Sequence, residues 1–496
     1  MSSYDDLRIL VTKLGDQLVA LDPPLVDDSS AKDHLILMGA FTEFLRAQGC
    51  VIDKNYLEDV SFRNILHRAQ HRLDLWLRKI VGLDHRKALQ PNELPPLDVA
   101  LVLHAYMISP HYFYEDSHSR VPELSALAKF PLHELVNLID SSQFTYNPSK
   151  EQVDHWYERT SVPFDPVNFL KNLPTLHMDC PRCGNTVAVK WNDDGTGFTE
   201  VDFAAQCPSC EVVITHSRLR SSALLQALSA VQNDSEARFP GTMLDKDGLI
   251  TDQSLVMSRE RSERILHAII DVDGNLPSGD SPEVILSTIK DRLDAAGIAT
   301  ERTLYPLMHN TRFSQDLVYF AGELAQFHAA MHDRVKASPI SPQELRDGYE
   351  EYCRFLAIAA YPELGYACPT ERGDLFWHTH QLMGDEYRVA TVMYLKRHLN
   401  HTKFTAASGT NPKAAPPWSP PASRDFVDIA PESQLALTDL DAAKYPWRVI
   451  GHFIDSKGQS FNKLCPAIGT AFSGLEDCGE GEHTPEKPCK PLEDEA

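Results

Sequence analysis

Four cysteines form two Cys-x-x-Cys pairs, Cys180-Pro-Arg-Cys183 and Cys207-Pro-Ser-Cys210. Two turns of this kind present four thiolates tetrahedrally, the ligand set that suits Zn²⁺ at about 2.3 Å per sulfur. Because protein sulfurs then occupy all four positions, none is left for water or a substrate. The spacing therefore predicts a structural zinc ion, with a redox dithiol or a chance pairing as the alternatives.

A second candidate site is a segment that occurs twice, around His104 and around His378. Each copy has a proline, an acidic residue (Asp98 or Asp374), an apolar run and the histidine. On a helix, Asp374 and His378 share a face at i and i+4, whereas His380 lies about 200° away from His378. Asp98 precedes His104 by six positions and cannot make the same contact.

We interpret His104 and His378 as core histidines that join helix ends. A pocket between two helical halves, in which they act as ligands or catalytic groups, and a peptide-binding groove are the alternatives. Two weaker metal-site candidates have helical spacing, which solvated helix faces often produce: His111, Glu115 and His118, and His67 with His71. A third consists of scattered residues in the tail: Cys465, Cys478, His483 and Cys489. The chain has no Gly-rich phosphate loop in a strand-to-helix setting, no GxSxG elbow and no HExxH, so its catalytic residues are unknown.

The elements that position these residues are predicted from hydrophobic periodicity. Apolar residues recur at helical spacing in residues 1–165, which carry the first histidine segment, and again in residues 221–400, which carry the second. Residues 175–220 carry short β-branched and aromatic runs with a turn at Asp193-Asp194-Gly195, a pattern typical of a hairpin. Residues 401–496 form a Pro-rich linker and a largely irregular acidic tail.

The fold class that follows is mainly α: two related helical halves with an inserted small β zinc-ribbon module and an irregular C-terminal tail. The repeat supports this organisation because its period, about 274 residues, is far too long for a solenoid.

Composition excludes several classes of function. The 496 residues carry a net charge of −23, which argues against broad binding to nucleic acid or to anionic lipid. Acidic residues also outnumber basic ones around the cysteines, so a nucleic-acid-binding ribbon is the weaker interpretation. The longest apolar stretches are far shorter than the roughly 18 residues of a membrane helix, and the N-terminus lacks the features of a secretory signal. We therefore expect a cytoplasmic protein, with the nucleus as the alternative.

The chain resembles the fungal branch of the glycine-rich domain-containing protein-like family, formerly a domain of unknown function. The residues that carry the resemblance are Leu97-Asp98 through His104, Ser109-Pro110, Phe113-Tyr114-Glu115-Asp116, Asp316-Leu317-Val318, Tyr352-Cys353-Arg354-Phe355, Trp377-His378-Thr379-His380-Gln381-Leu382, and the CPxC turns with Trp191 and Asp202-Phe203 between them. The resemblance implies an α-helical fold and no established catalytic residues; plant relatives are associated with development and stress responses. The chain departs from the family in lacking a glycine-rich tail, in having Met383-Gly384 where Ser-Pro is usual, and in a Cys-rich ending reduced to Cys465, Cys478 and Cys489.

Together these patterns predict a zinc-stabilised, mainly helical protein that acts as an interaction or regulatory scaffold for protein partners. The alternative is an enzyme, metal-dependent or not, whose pocket between the halves uses His104 and His378 with Asp98 or Asp374. A third interpretation is nucleic-acid binding by the zinc ribbon.

Overall fold

A computed structural model describes residues 4–401, except 54–55, 57–58, 84–87, 299–303, 305–306, 308–310 and 362–365, together with residues 448–454 and 460–464. The described chain is mainly helical, with short antiparallel strand pairs, so the expectation of a mainly α fold is confirmed. None of the described helices is long and apolar enough to cross a membrane.

Two compact units make up the chain. One is drawn from Met1–Pro24, Asp347–Asp374 and Thr402–Ala496, and the other from Leu25–Arg346 and Leu375–His401. The α-helices described are α1 Tyr4–Val19, α2 Asp28–Ala47, α3 Val60–Trp76, α4 Leu97–Met107, α5 Pro110–Ser117, α6 Leu132–Val136, α7 Lys150–Thr160, α8 Pro166–Asn172, α9 His216–Asn233, α10 Asp252–Ile269, α11 Pro282–Ala295, α12 Leu317–Ala337, α13 Pro342–Ala359, α14 Glu371–Gln381 and α15 Asp385–Leu395.

The strands described are short and all antiparallel in their pairing: β1 Ile139–Asp140 with β2 Thr145–Tyr146, β3 Thr175–Asp179 with β4 Thr186–Lys190, β5 Ala204–Gln206 with β6 Val213–Thr215, and the sheet β7 Tyr366–Cys368, β8 Arg448–Ile454 and β9 Ser460–Leu464.

Helix α4 lies at the centre of the larger unit. Every one of its residues is buried, and α2, α3 and α12 contact it. A helix that is apolar all round belongs inside a core, which accounts for the uninterrupted apolar run before His104. Close approach of α12 to the loop after α2 depends on Gly322, where an added Cβ would lie 2.1 Å from the Tyr56 ring.

Aspartate side chains cap several helices. The Asp27 carboxylate accepts a hydrogen bond from the Ser30 backbone N–H at 2.7 Å, so α2 begins at Asp28. Asp59 and Asp316 accept equivalent bonds at the starts of α3 and α12.

The cysteine module contains two hairpins, not one. The sequence indicated a hairpin with its turn at Asp193-Asp194-Gly195, but no described strands pair across that turn. Instead β3 pairs with β4 around the first cysteine pair, and β5 pairs with β6 around the second. Each Cys-x-x-Cys turn is the tip of its own hairpin, because the chain must reverse to bring both sulfurs of a pair to the same side.

In the smaller unit, α1 packs against α13. Gly15 faces Ala357, and Arg354 pairs with Asp16 at 3.3 Å. The sequence predicted a largely irregular tail within residues 401–496. This range includes the two described strands β8 and β9. The predicted Pro-rich linker and the tail residues Cys465, Cys478, His483 and Cys489 lie outside the described residues.

The two histidine segments both form helices: the first lies in α4 and the second in α14. That these helices mark two related halves of the chain stays a prediction.

Candidate metal centres

The four predicted cysteines lie together at the tips of the two hairpins. The Sγ atoms of Cys180 and Cys210 are 3.7 Å apart, and those of Cys183 and Cys207 are also 3.7 Å apart. A tetrahedral zinc ion with sulfurs at about 2.3 Å requires neighbouring sulfurs about 3.8 Å apart. The four thiol groups are therefore close enough to hold one metal ion.

The two cysteine turns share the same backbone geometry. Gly184 N–H donates to the Cys180 carbonyl and Glu211 N–H donates to the Cys207 carbonyl, both at 2.9 Å. Both donors have positive φ, +74° at Gly184 and +60° at Glu211. The second turn therefore places a glutamate in a backbone conformation that favours glycine.

Backbone N–H groups favour the thiolate at the second turn. Burial raises the pKa of Cys207, but hydrogen bonds from the N–H groups of Ser209 and Cys210, together with neighbouring thiols, lower it to about 6. Thiolate is the form that binds metal, so Cys207 is suited to a ligand role. A hydrogen bond from the Val212 N–H lowers the pKa of Cys210, but burial and the neighbouring thiols raise it to about 12.

Aromatic side chains attach the cysteine module to α3. Trp191, which is 1% exposed, contacts the His71 ring at 5.5 Å between centroids, and the Arg68 guanidinium lies 5.2 Å from the indole centroid. Asn64 donates to the Asn192 side chain at 2.5 Å. The module is thus packed on the helical core of its unit.

The His67 and His71 pair contacts aromatic rings of the module. The His67 ring lies 6.1 Å from that of Phe198, and the ring of His216 at the start of α9 lies 5.4 Å from the same phenylalanine ring. Burial lowers the pKa of both His67 and His216 to about 4. In this setting the two histidines of α3 serve as packing groups.

Asp98 is held by an arginine. Its carboxylate pairs with the Arg72 Nε at 2.8 Å, and both side chains are almost fully buried. The Arg72 guanidinium also donates to the carbonyls of Pro163 and Phe164 at 2.7 and 2.5 Å and lies over the Trp156 ring. The pair therefore joins α3, α4 and the chain after α7, and Asp98 is committed to it.

His104 belongs to a group of five histidines in the larger unit, which we call the histidine core: His34, His104, His328, His378 and His401. The Nε2 atoms of His34 and His104 are 2.8 Å apart, and the His104 and His328 rings lie 4.8 Å apart between centroids. Burial lowers the pKa of His104 well below its usual value, and the neighbouring histidines lower it further.

His378 enters the same histidine core from α14. Its Nε2 lies 2.9 Å from the Nε2 of His401, and its ring packs against Phe327 at 4.9 Å. The next residue, Thr379, links to the first pair, since its hydroxyl lies 2.9 Å from the His34 Nδ1. The structure thus places both sequence-predicted histidines in one buried group.

The remaining acidic candidate is Asp374, which belongs to the smaller unit. It stands one helical turn before His378 in α14. Burial raises its pKa to about 8, and Glu371 adds to the shift. His380 packs against Tyr387 at 5.0 Å, separate from the histidine core, as helical geometry predicts.

The His111, Glu115 and His118 side chains have three separate partners. The His111 Nε2 lies 2.7 Å from the His398 carbonyl, Glu115 accepts from the Met243 N–H at 3.1 Å, and His118 lies against the Tyr114 carbonyl. This arrangement joins α5 to neighbouring chain segments and does not gather the three on one ion.

Sequence reasoning missed three members of the histidine core: His34, His328 and His401. They stand in no shared motif, and their separation along the chain reaches 367 residues. The available signal was a single histidine on the apolar face of a helix, as at His34 in α2 and His328 in α12, and such histidines occur in many cores.

Comparison of the chain with protein-family models, with curated proteins and with solved structures finds no match. The functional conclusion therefore rests on the geometry of the four thiol groups and of the histidine core.

Proposed function

We propose that this chain is a zinc-stabilised interaction or regulatory scaffold, in which a Zn²⁺ ion held by Cys180, Cys183, Cys207 and Cys210 fixes the two hairpins as a zinc ribbon. The observation that carries the proposal is the pair of 3.7 Å Sγ distances, which match the edge of a zinc tetrahedron.

A four-thiolate ion has a structural role because it has no open position. Each hairpin alone is too short to be stable, with only three to five residues per strand. One ion that ties both tips together lets Trp191 and Phe198 pack against α3 as a unit. Loss of the ion releases this contact and exposes an apolar face of the ribbon and of α3.

Protein partners fit the charge of the chain. A net charge of −23 disfavours nucleic acid and anionic lipid as ligands, and favours a protein surface with basic residues. The resemblance to the fungal branch of the glycine-rich domain-containing protein-like family is compatible with this proposal, since no catalytic residues are established for that family. We place the protein in the cytoplasm, with the nucleus as the alternative.

Metal content and partner binding test this proposal together. The full chain should purify with zinc, and Cys180→Ser should lose the ribbon zinc, whereas Cys50→Ser, a change at a buried cysteine outside the module, should keep it. Partners cross-linked in cells should co-purify reciprocally with wild type and Cys50→Ser but not with Cys180→Ser. Equal zinc in both variants, or partner binding that survives zinc loss, contradicts the proposal.

A second candidate function is an enzyme that uses His104 and His378. The specific observation in its favour is that both histidines lie in one buried histidine core. Asp98 cannot assist them while it pairs with Arg72. In its metal-dependent form, this enzyme needs an ion with an exchangeable ligand, so azide should change the visible spectrum of the cobalt-loaded full chain. An unchanged spectrum contradicts the metal-dependent enzyme.

A further inference from the structure

Helix α15 of the larger unit presents apolar side chains to solvent. Val389 and Met393, one helical turn apart, are 51% and 56% exposed, while Tyr387, Thr391 and Leu395 on the other side of the helix are buried. Among the large exposed apolar side chains of the described residues, these two form the one pair that shares a helix face at i and i+4. A single exposed apolar residue needs no explanation, whereas a pair on one face is a candidate contact surface.

Charges of opposite sign stand at the two ends of this pair. Glu386 in the first turn and Lys396, directly after the last helical residue, are both exposed. With Val389 and Met393 they follow the spacing i, i+3, i+7 and i+10, which places all four on one side of the helix. The Lys396 Nζ donates to the Met393 carbonyl at 2.8 Å and keeps two further N–H groups for another acceptor. We call these four residues the α15 face.

The two charges of the α15 face are too far apart to neutralise each other within one chain. Ten positions separate Glu386 from Lys396, which is about 15 Å along a helix. Exposed charges are largely screened beyond about 8 Å at physiological ionic strength. In a second copy that lies antiparallel, the order of the charges is reversed. Glu386 of each copy then meets Lys396 of the other.

The α15 face is also symmetric about its centre. Glu386 and Lys396 lie five positions on either side of Thr391, and Val389 and Met393 lie two positions on either side of it. A two-fold axis at this level brings each residue opposite its counterpart, as a self-complementary dimer interface requires. Apolar side chains then meet in the middle and opposite charges meet at the rim, which is the usual arrangement of an interface.

The local charge favours a second copy over a basic partner at this place. The whole chain has a net charge of −23, so two copies repel each other overall and a basic protein is attracted to the acidic parts of the surface. Over residues 385–396, however, two acidic and two basic residues sum to zero. Asp385 pairs with Arg388 at 3.2 Å, and Glu386 and Lys396 balance each other. The α15 face is therefore a neutral surface on which two acidic chains can meet.

We propose that the α15 face is a self-association surface, on which a second copy of this chain docks antiparallel. Val389 of each copy packs against Met393 of the other, with a Glu386–Lys396 ion pair at each end. Because three turns of helix bury less than the roughly 1,200 Å² of a stable interface, the dimer forms reversibly and its population depends on the chain concentration. This association goes beyond the proposed function and does not depend on the zinc ribbon.

Sedimentation equilibrium of the full chain tests the proposal. We expect a weight-average mass that rises from the 55.7 kDa of one chain toward twice that value as the chain concentration approaches the millimolar range. Val389→Asp should raise the dimer dissociation constant about tenfold or more, because it buries a charge without a partner. Val284→Asp, at a valine of α11 that is 60% exposed, should leave the constant unchanged. A mass of one chain at every concentration, or equal effects of the two changes, overturns the proposal.

Charge reversals test the antiparallel orientation. Glu386→Lys leaves basic residues at both ends of the face, and Lys396→Glu leaves acidic residues at both ends, so each variant alone should associate more weakly than wild type. An equal mixture of the two should regain the wild-type association, because each copy then meets charges of opposite sign at both ends. Recovery in the mixture also shows that both variants are folded. Association that neither reversal weakens, or a mixture that associates no better than the separate variants, overturns the antiparallel second copy.

Discussion

Asp98 and Arg72 form a buried ion pair, with the carboxylate 2.8 Å from the arginine Nε and both side chains at most 2% exposed. Asp98, a candidate catalytic partner of His104 in the sequence, therefore neutralises the Arg72 cation in the core. Burial raises the pKa of Asp98, and Arg72 opposes that shift.

Removing the Asp98 charge should destabilise the protein strongly. Asp98→Asn leaves the Arg72 cation buried without its counter-ion, so we expect a loss of about 3–5 kcal/mol in the free energy of unfolding, measured with urea. The control is Asp154→Asn, which breaks the exposed Lys150–Asp154 pair and should have little effect because water and salt screen that pair. Similar effects of the two changes would show that the buried pair is not as described.

Glycine should have opposite effects on stability when it is introduced into one cysteine turn and removed from the other. Glu211→Gly should stabilise the chain by up to about 1 kcal/mol because it relieves a positive φ. Gly184→Ala should destabilise it by about 1 kcal/mol for the same reason. Thermal unfolding of the zinc-loaded variants measures both, and shifts of the same sign would contradict the backbone geometry of the turns.

Stability should fall as the pH decreases from 6.5 toward 4. His67 and His216 have pKa values of about 4 when folded and about 6.5 when unfolded, so both are neutral in either state above pH 6.5. Between these values the unfolded chain binds more protons, and each histidine lowers stability by at most about 1.4 kcal/mol per pH unit.

Substitution isolates this effect from acid release of zinc. The double change of His67→Gln and His216→Gln should weaken the dependence of the urea midpoint on pH relative to wild type, because it removes two of the histidines whose pKa is lowered in the folded state. His133→Gln, at an exposed position, should leave the dependence unchanged. Identical pH curves for wild type and the double variant would rule out this contribution.

Two helical glycines should respond differently to alanine. Gly322→Ala places a Cβ 2.1 Å from the Tyr56 ring, and we expect it to destabilise the protein by about 1–3 kcal/mol. At Gly15 in α1 the nearest atom lies at 3.6 Å, an ordinary contact, so Gly15→Ala should be neutral or stabilising by up to about 1 kcal/mol. Urea unfolding of both variants checks the contrast.

The sequence predicted the local parts of this structure. Cys180, Cys183, Cys207 and Cys210 could be found because each pair is defined within four residues. The prediction of a hairpin with its turn at Asp193-Asp194-Gly195 was wrong, since strand runs alone do not specify which strands are partners. The histidine core could not be predicted as a group, because only the tertiary fold brings His34 and His328 to His104.

The central claim is that four thiolates hold a structural zinc ion, and zinc-edge X-ray absorption of the full chain, purified without added metal, tests it most directly. The account predicts a sulfur shell at about 2.3 Å that disappears in the Cys180→Ser, Cys207→Ser variant. A chain without zinc, or zinc whose first shell contains no sulfur, would contradict it.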